Sequence, residues 1–136
     1  MALKKIGVGF VFLWFFGGGC AHFAAANFFV AILPPYIPWP YPVVYLSGAF
    51  EIIAALCLLH LGLRKIIGNC LFLFTIAVSP VNIHMWSHPE MFPEVPPLFL
   101  SIRLVVQVLL LACIWWSTRP DQTQPSAAVD HQSTEA

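Results

Sequence analysis

Residues 43–86 read VVYLSGAFEIIAALCLLHLGLRKIIGNCLFLFTIAVSPVNIHMW. Two apolar runs, 43–63 and 66–86, are separated only by Arg64 and Lys65. At about 1.5 Å per helical residue, each run is long enough to cross a hydrocarbon core of about 30 Å. Lipid offers no hydrogen bonds to the backbone, so a spanning segment is either a helix or a strand of a closed barrel. Neither run alternates apolar with polar residues as a barrel strand does. The stretch therefore predicts a helical hairpin in a membrane, turning on two basic residues.

Working outward, the same pattern recurs on both sides. Residues 6–27 form an apolar run that continues to Leu33, and residues 98–116 form another. The expectation is an all-α, integral membrane four-helix bundle with helices at about 6–27, 43–63, 66–86 and 98–116. Composition agrees: of 136 residues, 60% are hydrophobic and 9% charged, against about 25% charged in ordinary soluble domains. A water-soluble globule of this size has no interior large enough for so much apolar surface, so the expected partner is the lipid bilayer. The formal net charge is zero with neutral histidines, which gives no footprint for nucleic acid.

The few charges inform by position. Lys4 and Lys5 precede the first run, Arg64 and Lys65 fill the central turn, and Arg119 follows the last run. Four crossings put all of them on one side. The connections on the other side, 34–42 and 87–97, contain neither Lys nor Arg. The positive-inside rule makes the basic side cytoplasmic, with both termini there. The two outer loops are proline-rich, with Pro34, Pro35, Pro38, Pro40 and Pro42 in one and Pro89, Pro93, Pro96 and Pro97 in the other. Tyr36, Trp39 and Tyr41 lie among the first set as an interfacial aromatic belt would. These loops are expected to lie stiffly on the headgroups, or to form a lid over a pocket opening outward. Residues 117–136 are polar and predict a disordered cytoplasmic tail.

The N-terminal run ends in Gly17-Gly18-Gly19-Cys20, in outline a lipoprotein signal. Gly17 occupies the place usually held by Leu, and the apolar run continues past Cys20, so the segment reads as a span. Cys20, Cys57, Cys70 and Cys113 fall one per run. No two form a Cys-x-x-Cys motif, and they read as small buried hydrophobes.

Polar residues inside a span are costly, about 2.5–3.5 kcal/mol for a charge at the helix centre on insertion scales. The runs carry His22, Glu51, Asn82 with His84, and Arg103 with Gln107. Counted inward from the outer ends, His22, Glu51, Asn82 and Arg103 all lie roughly 6–12 Å deep. One polar group per helix thus falls in a common layer, forming one cluster if all face inward. Glu51 and Arg103 are its natural ion pair. Asn82 follows Pro80, whose missing N–H frees a carbonyl that the Asn amide could satisfy. The cluster reads either as structural glue fixing helix register or as a binding or catalytic site in which Glu51 and His22 exchange protons and Arg103 orients an anionic or carbonyl group. Scattered depths argue against a metal site, and His60 and His84 read as interfacial. Gly17, Gly18 and Gly19, with Gly48, Ala54, Ala55 and Gly68, permit close helix contacts. Gly48 and Glu51 share a face by i,i+3 spacing, placing the tight contact and the charge in one interface.

Several motifs resemble the DoxX-like family of small bacterial membrane proteins. They are His22-Phe23, Phe28-Phe29, Leu33-Pro34-Pro35-Tyr36-Ile37-Pro38, the run Tyr45-Leu46-Ser47-Gly48-Ala49-Phe50-Glu51-Ile52, and Ser79-Pro80-Val81-Asn82-Ile83-His84-Met85. The resemblance covers about residues 6–116. Val81 stands where that family has Ala, Ala55 where Gly is common, and the second outer loop is less typical. It implies a four-helix fold in the bacterial inner membrane and marks His22, Glu51 and Asn82 as pattern residues. Some members of that family are linked to thiosulfate–quinone oxidoreduction or to oxidative-stress complexes. The resulting expectation is a non-catalytic component supporting a partner redox protein. The alternative is a quinone-linked oxidoreductase subunit, or another membrane enzyme, using the Glu51, Arg103 and His22 cluster. A small transporter, which would need a homo-oligomer, is a third possibility.

Overall fold

A computed structural model describes residues 1–120. The described chain is helical, with no strand among the described residues. The helices are α1 (Ala2–Ala24), α2 (Ala26–Ala31), α3 (Pro40–Leu58), α4 (Arg64–Ala77), α5 (Ser79–Ser87) and α6 (Pro97–Thr118), with a 3-10 turn at Pro89–Met91. Four helices are long and apolar enough to cross a membrane: α1, α3, the α4–α5 unit over Arg64–Ser87, and α6. The chain is a multi-pass membrane protein. Its outward surface is what lipid requires, with Leu46, Ile53, Leu73, Val105 and Leu109 all exposed.

The helices differ from the sequence reading in their breaks. The first run ends at Ala24 instead of reaching residue 27, because Ala25 turns to φ −128°, ψ 42° and starts α2 as a separate short helix. Neither proline nor glycine marks that turn. The second helix starts earlier, at Pro40, where a missing N–H costs nothing in the first helical turn. It ends at Leu58, leaving 59–63 as a turn. Trp39 caps it with φ 51°, the single positive φ at a non-glycine among the described residues. The third span is interrupted at Val78, two residues before Pro80. The fourth continues to Thr118, so Ser117 and Thr118 are buried helix instead of the start of a polar tail. The tail expected beyond them falls on 121–136, outside the described residues.

At one end of the bundle the basic residues meet. Lys4 Nζ donates to the Arg119 carbonyl at 3.0 Å, and Arg119 Nη2 donates to Asn69 Oδ1 at 2.7 Å. The Arg119 guanidinium also sits 3.7 Å above the Trp115 ring, a cation–π contact. Arg64 Nε reaches the Leu58 carbonyl at 3.4 Å. Above this basic end the four spans close tightly. Val11, Ala55, Leu58, Leu71 and Ile114 are fully buried together. A Cβ on Gly7 would lie 2.9 Å from Ser117 Cβ, and one on Gly68 would strike Thr118. These glycines let α1 and α4 approach the end of α6.

The opposite, loop end has its own smaller core of Ile32, Met85 and Leu100, with Phe29, Val81, Phe92 and Val95 packed against it. Here α2 and the second loop fold over the bundle. Between this cap and the tight core the helices stand apart, and the polar residues lie in that gap.

Candidate functional site

The gap is a half-open cavity of about 830 Å³, within the range of small-molecule sites. Its walls are mostly apolar. The polar residues lining it are His22, Ser47, Glu51, Thr75, Asn82, Arg103 and Gln107. All five residues that the sequence reading grouped, His22, Glu51, Asn82, Arg103 and Gln107, thus face one space. They are divided between two walls.

One wall is the crossing of α1 and α3. A Cβ on Gly19 would lie 2.7 Å from the Gly48 carbonyl oxygen, and one on Gly48 would lie 2.6 Å from His22 Cβ. Only glycine at both positions allows the backbones to come this close. The crossing places His22 against α3. Its Nδ1 lies 3.1 Å from the Val44 carbonyl oxygen and 2.9 Å from Ser47 Oγ. The Ser47 hydroxyl is donated to the same carbonyl at 2.9 Å. Its oxygen is thereby left as an acceptor, so Nδ1 is the ring nitrogen that carries hydrogen. Nε2 points instead toward Glu51 Oε1, 3.8 Å away. Phe29 of α2 covers the imidazole at 4.1 Å between ring centroids. Glu51 is 8% exposed. A Cβ on Gly18 would sit 2.7 Å from its Oε2, so the glycine makes room for the carboxylate.

The other wall joins α4, α5 and α6 through a row of side-chain bonds. Arg103 Nη2 donates to Asn82 Oδ1 at 2.8 Å, and Asn82 Nδ2 donates to Gln107 Oε1 at 2.5 Å. Gln107 Nε2 donates to the Thr75 carbonyl at 3.2 Å and contacts Ser79 Oγ. Ser79 Oγ also donates to the Thr75 carbonyl, at 3.1 Å. Arginine only donates, so it fixes which end of Asn82 faces it, and each later amide is oriented in turn. The row ends on a carbonyl next to the Val78 interruption, where regular helix bonding fails. Gln107 and Ser79 satisfy that carbonyl, while Asn82, which could have served a carbonyl freed near Pro80, gives its amide hydrogen to Gln107. Asn82 is the middle of the row.

The expected Glu51–Arg103 ion pair is not formed. Glu51 faces His22, and Arg103 is held by Asn82. The two charges line the same cavity from opposite walls. Depth along each helix was legible from residue counts, whereas rotation about the helix axis was not, and rotation decides partners. Thr75 and Ser79 were missed because hydroxyls in an apolar run carry no signal of their own; Pro80 nearby was the available clue. His60 is exposed in the turn after α3. His84 packs its ring on His88 at 4.6 Å, at the loop end and outside the cavity lining. The four cysteines are free thiols. No group of three metal-ligating side chains gathers among the described residues.

Residues 11–118 match the family described as a domain of unknown function, DUF8561. No curated protein and no solved structure matches the chain.

Proposed function

We propose a function for a chain that belongs to the DUF8561 family, and we take it from the cavity: this membrane protein binds a lipid-soluble molecule with a polar, acceptor-bearing head, of the quinone class. It does so as a component supporting a membrane redox complex in the bacterial inner membrane. The observation that carries the reading is that Glu51 and Arg103 enter one largely apolar cavity without pairing to each other. A charge at membrane depth is normally neutralised by its neighbour. Two that stay apart across a ligand-sized space are arranged for something between them. A quinone head has two carbonyl oxygens on opposite edges. Arg103 has N–H groups beyond the one given to Asn82, and the His22–Glu51 pair holds a mobile proton on the facing wall. The apolar walls suit the ring and the first part of its tail.

In this reading the basic end is cytoplasmic and both termini lie there, on the evidence of the lysine and arginine bias. The cavity then lies in the outer half of the bilayer, beneath the proline-rich loops. The DoxX-like resemblance supports the same assignment, since its pattern residues His22, Glu51 and Asn82 are all cavity residues. The amide row of Asn82 and Gln107 serves mainly to hold α5 and α6 together, while His22, Glu51 and Arg103 meet the ligand.

The test is binding of a short-tailed benzoquinone to the purified chain in nanodiscs, followed by tryptophan fluorescence. Wild type is expected to bind saturably, and Glu51→Gln to lose binding while keeping the wild-type melting temperature. Absence of binding by wild type, or unchanged affinity in Glu51→Gln, would sink the reading.

A further inference from the structure

We infer that the ligand enters the cavity sideways from the outer leaflet, through a gap between α1 and α6, with Gly17 as its threshold. This rests on the function proposed above and names the source of the ligand, a molecule already dissolved in lipid. Three observations converge on it. First, α2 and the second loop cover their side of the loop end. Ile32, Met85 and Leu100 are 4%, 1% and 2% exposed, with Phe92 and Val95 of the second loop packed over them. Second, α1 and α6 are clasped at the basic end, where Gly7 meets Ser117 and Trp116 and Cys113 Sγ lies 3.9 Å from the Gly7 carbonyl oxygen. Toward the loop end the facing residues line the cavity and are also exposed: Leu13, Trp14 and Gly17 on α1, and Phe99 and Ile102 on α6. A residue that both lines a cavity and faces outward is part of a mouth; α1 and α6 supply these five, against one each from α2, α3 and α4 (Phe28, Val43 and Ala77), so the mouth they frame is the α1–α6 gap, and it opens where lipid is. Third, a Cβ on Gly17 would meet nothing within 4 Å, unlike those on Gly18 and Gly19 beside it. Of the three consecutive glycines, two accommodate α3 and its carboxylate. Gly17 accommodates no residue of this chain.

The opening suits a tailed molecule. Its head can reach Arg103 and Glu51 while its tail stays between Leu13 and Ile102 in contact with acyl chains. A water-soluble ligand would have to cross hydrocarbon to use it.

The test uses the full chain in nanodiscs and a decyl-tailed benzoquinone, with association followed by stopped-flow tryptophan quenching. Gly17→Phe places bulk in the open threshold and is expected to slow association by about tenfold, with unchanged thermal stability. Gly9→Phe is the control, since Gly9 also has open space around it but lies outside the cavity lining; it is expected to associate at the wild-type rate. Wild-type association in Gly17→Phe overturns the inference, as does equal slowing in both variants. A second measurement needs no ligand: a nitroxide on Gly17→Cys, with the native cysteines replaced, is expected to be relaxed by dissolved oxygen. Relaxation by an aqueous nickel chelate instead would show a water-facing mouth and overturn the portal. If wild type bound no quinone, the function proposed above would fall, and the nitroxide would still decide where the cavity opens.

Discussion

The two walls of the cavity are built by opposite means. The α1–α3 wall is held by backbone proximity: Gly19 and Gly48 bring the helices so close that a methyl group on either would collide with the other helix. The α4–α5–α6 wall is held by side chains, through the row from Arg103 to the Thr75 carbonyl. The difference shows how a small bundle can carry reactive groups. Where packing at glycines supplies most of the cohesion, the nearby carboxylate is not needed for it, even though His22 Nδ1 bonds across the crossing. His22 and Glu51 can therefore hold a loose contact at 3.8 Å. Where the polar side chains themselves supply the cohesion, they are committed to one another.

Substitutions should separate the walls, most sharply at the glycine crossing. Gly48→Leu is expected to prevent assembly of the bundle, costing at least about 3 kcal/mol because backbone and His22 Cβ stand in the way. Thermal unfolding in detergent measures it, and a wild-type melt would mean the crossing is not what holds this wall. Next comes Gln107→Leu, which leaves Asn82 Nδ2 without its acceptor and the Thr75 carbonyl short of a donor. Interhelical polar contacts in membranes are worth about 1–2 kcal/mol at most, so a loss of that size is expected on the same assay. Glu51→Gln should change stability by less than about 0.5 kcal/mol, since the glycines carry that wall. A large loss there would return Glu51 to a structural role and erase the contrast. The smallest effect on folding is expected from Gly18→Ala. Its new methyl meets only the mobile end of Glu51, at 2.7 Å. Stability should stay near wild type while quinone affinity changes by roughly a few fold, read by fluorescence titration.

The sequence made the four spans legible because hydrophobic length is a local property. The meeting of the basic residues at one end followed from counting crossings, and Lys4, Asn69 and Arg119 are in contact as that count requires. The layer of polar residues was legible too, since rise per residue is fixed. The partners within it were not. A single polar residue on an otherwise apolar helix gives depth without rotation, so Glu51 could be assigned to Arg103 as readily as to His22. The break at Ala25 was equally hidden: no residue type there marks a turn, and beyond it Phe29 stacks back on His22 while Ile32 packs with Met85 and Leu100. The glycine run shows the same limit. Gly17, Gly18 and Gly19 look identical in sequence and differ only in what stands opposite each one.

The amide row has one more consequence. A guanidinium in water is surrounded by oxygen atoms on all sides. In this bundle Asn82 supplies such an oxygen from behind, and Gln107 and the Thr75 carbonyl pass the polarisation back toward the helix interruption. Arg103 thus carries half a hydration shell built of protein, fixed in place, with its open half turned to the cavity. A ligand of the proposed kind would complete that shell with its own acceptor oxygen.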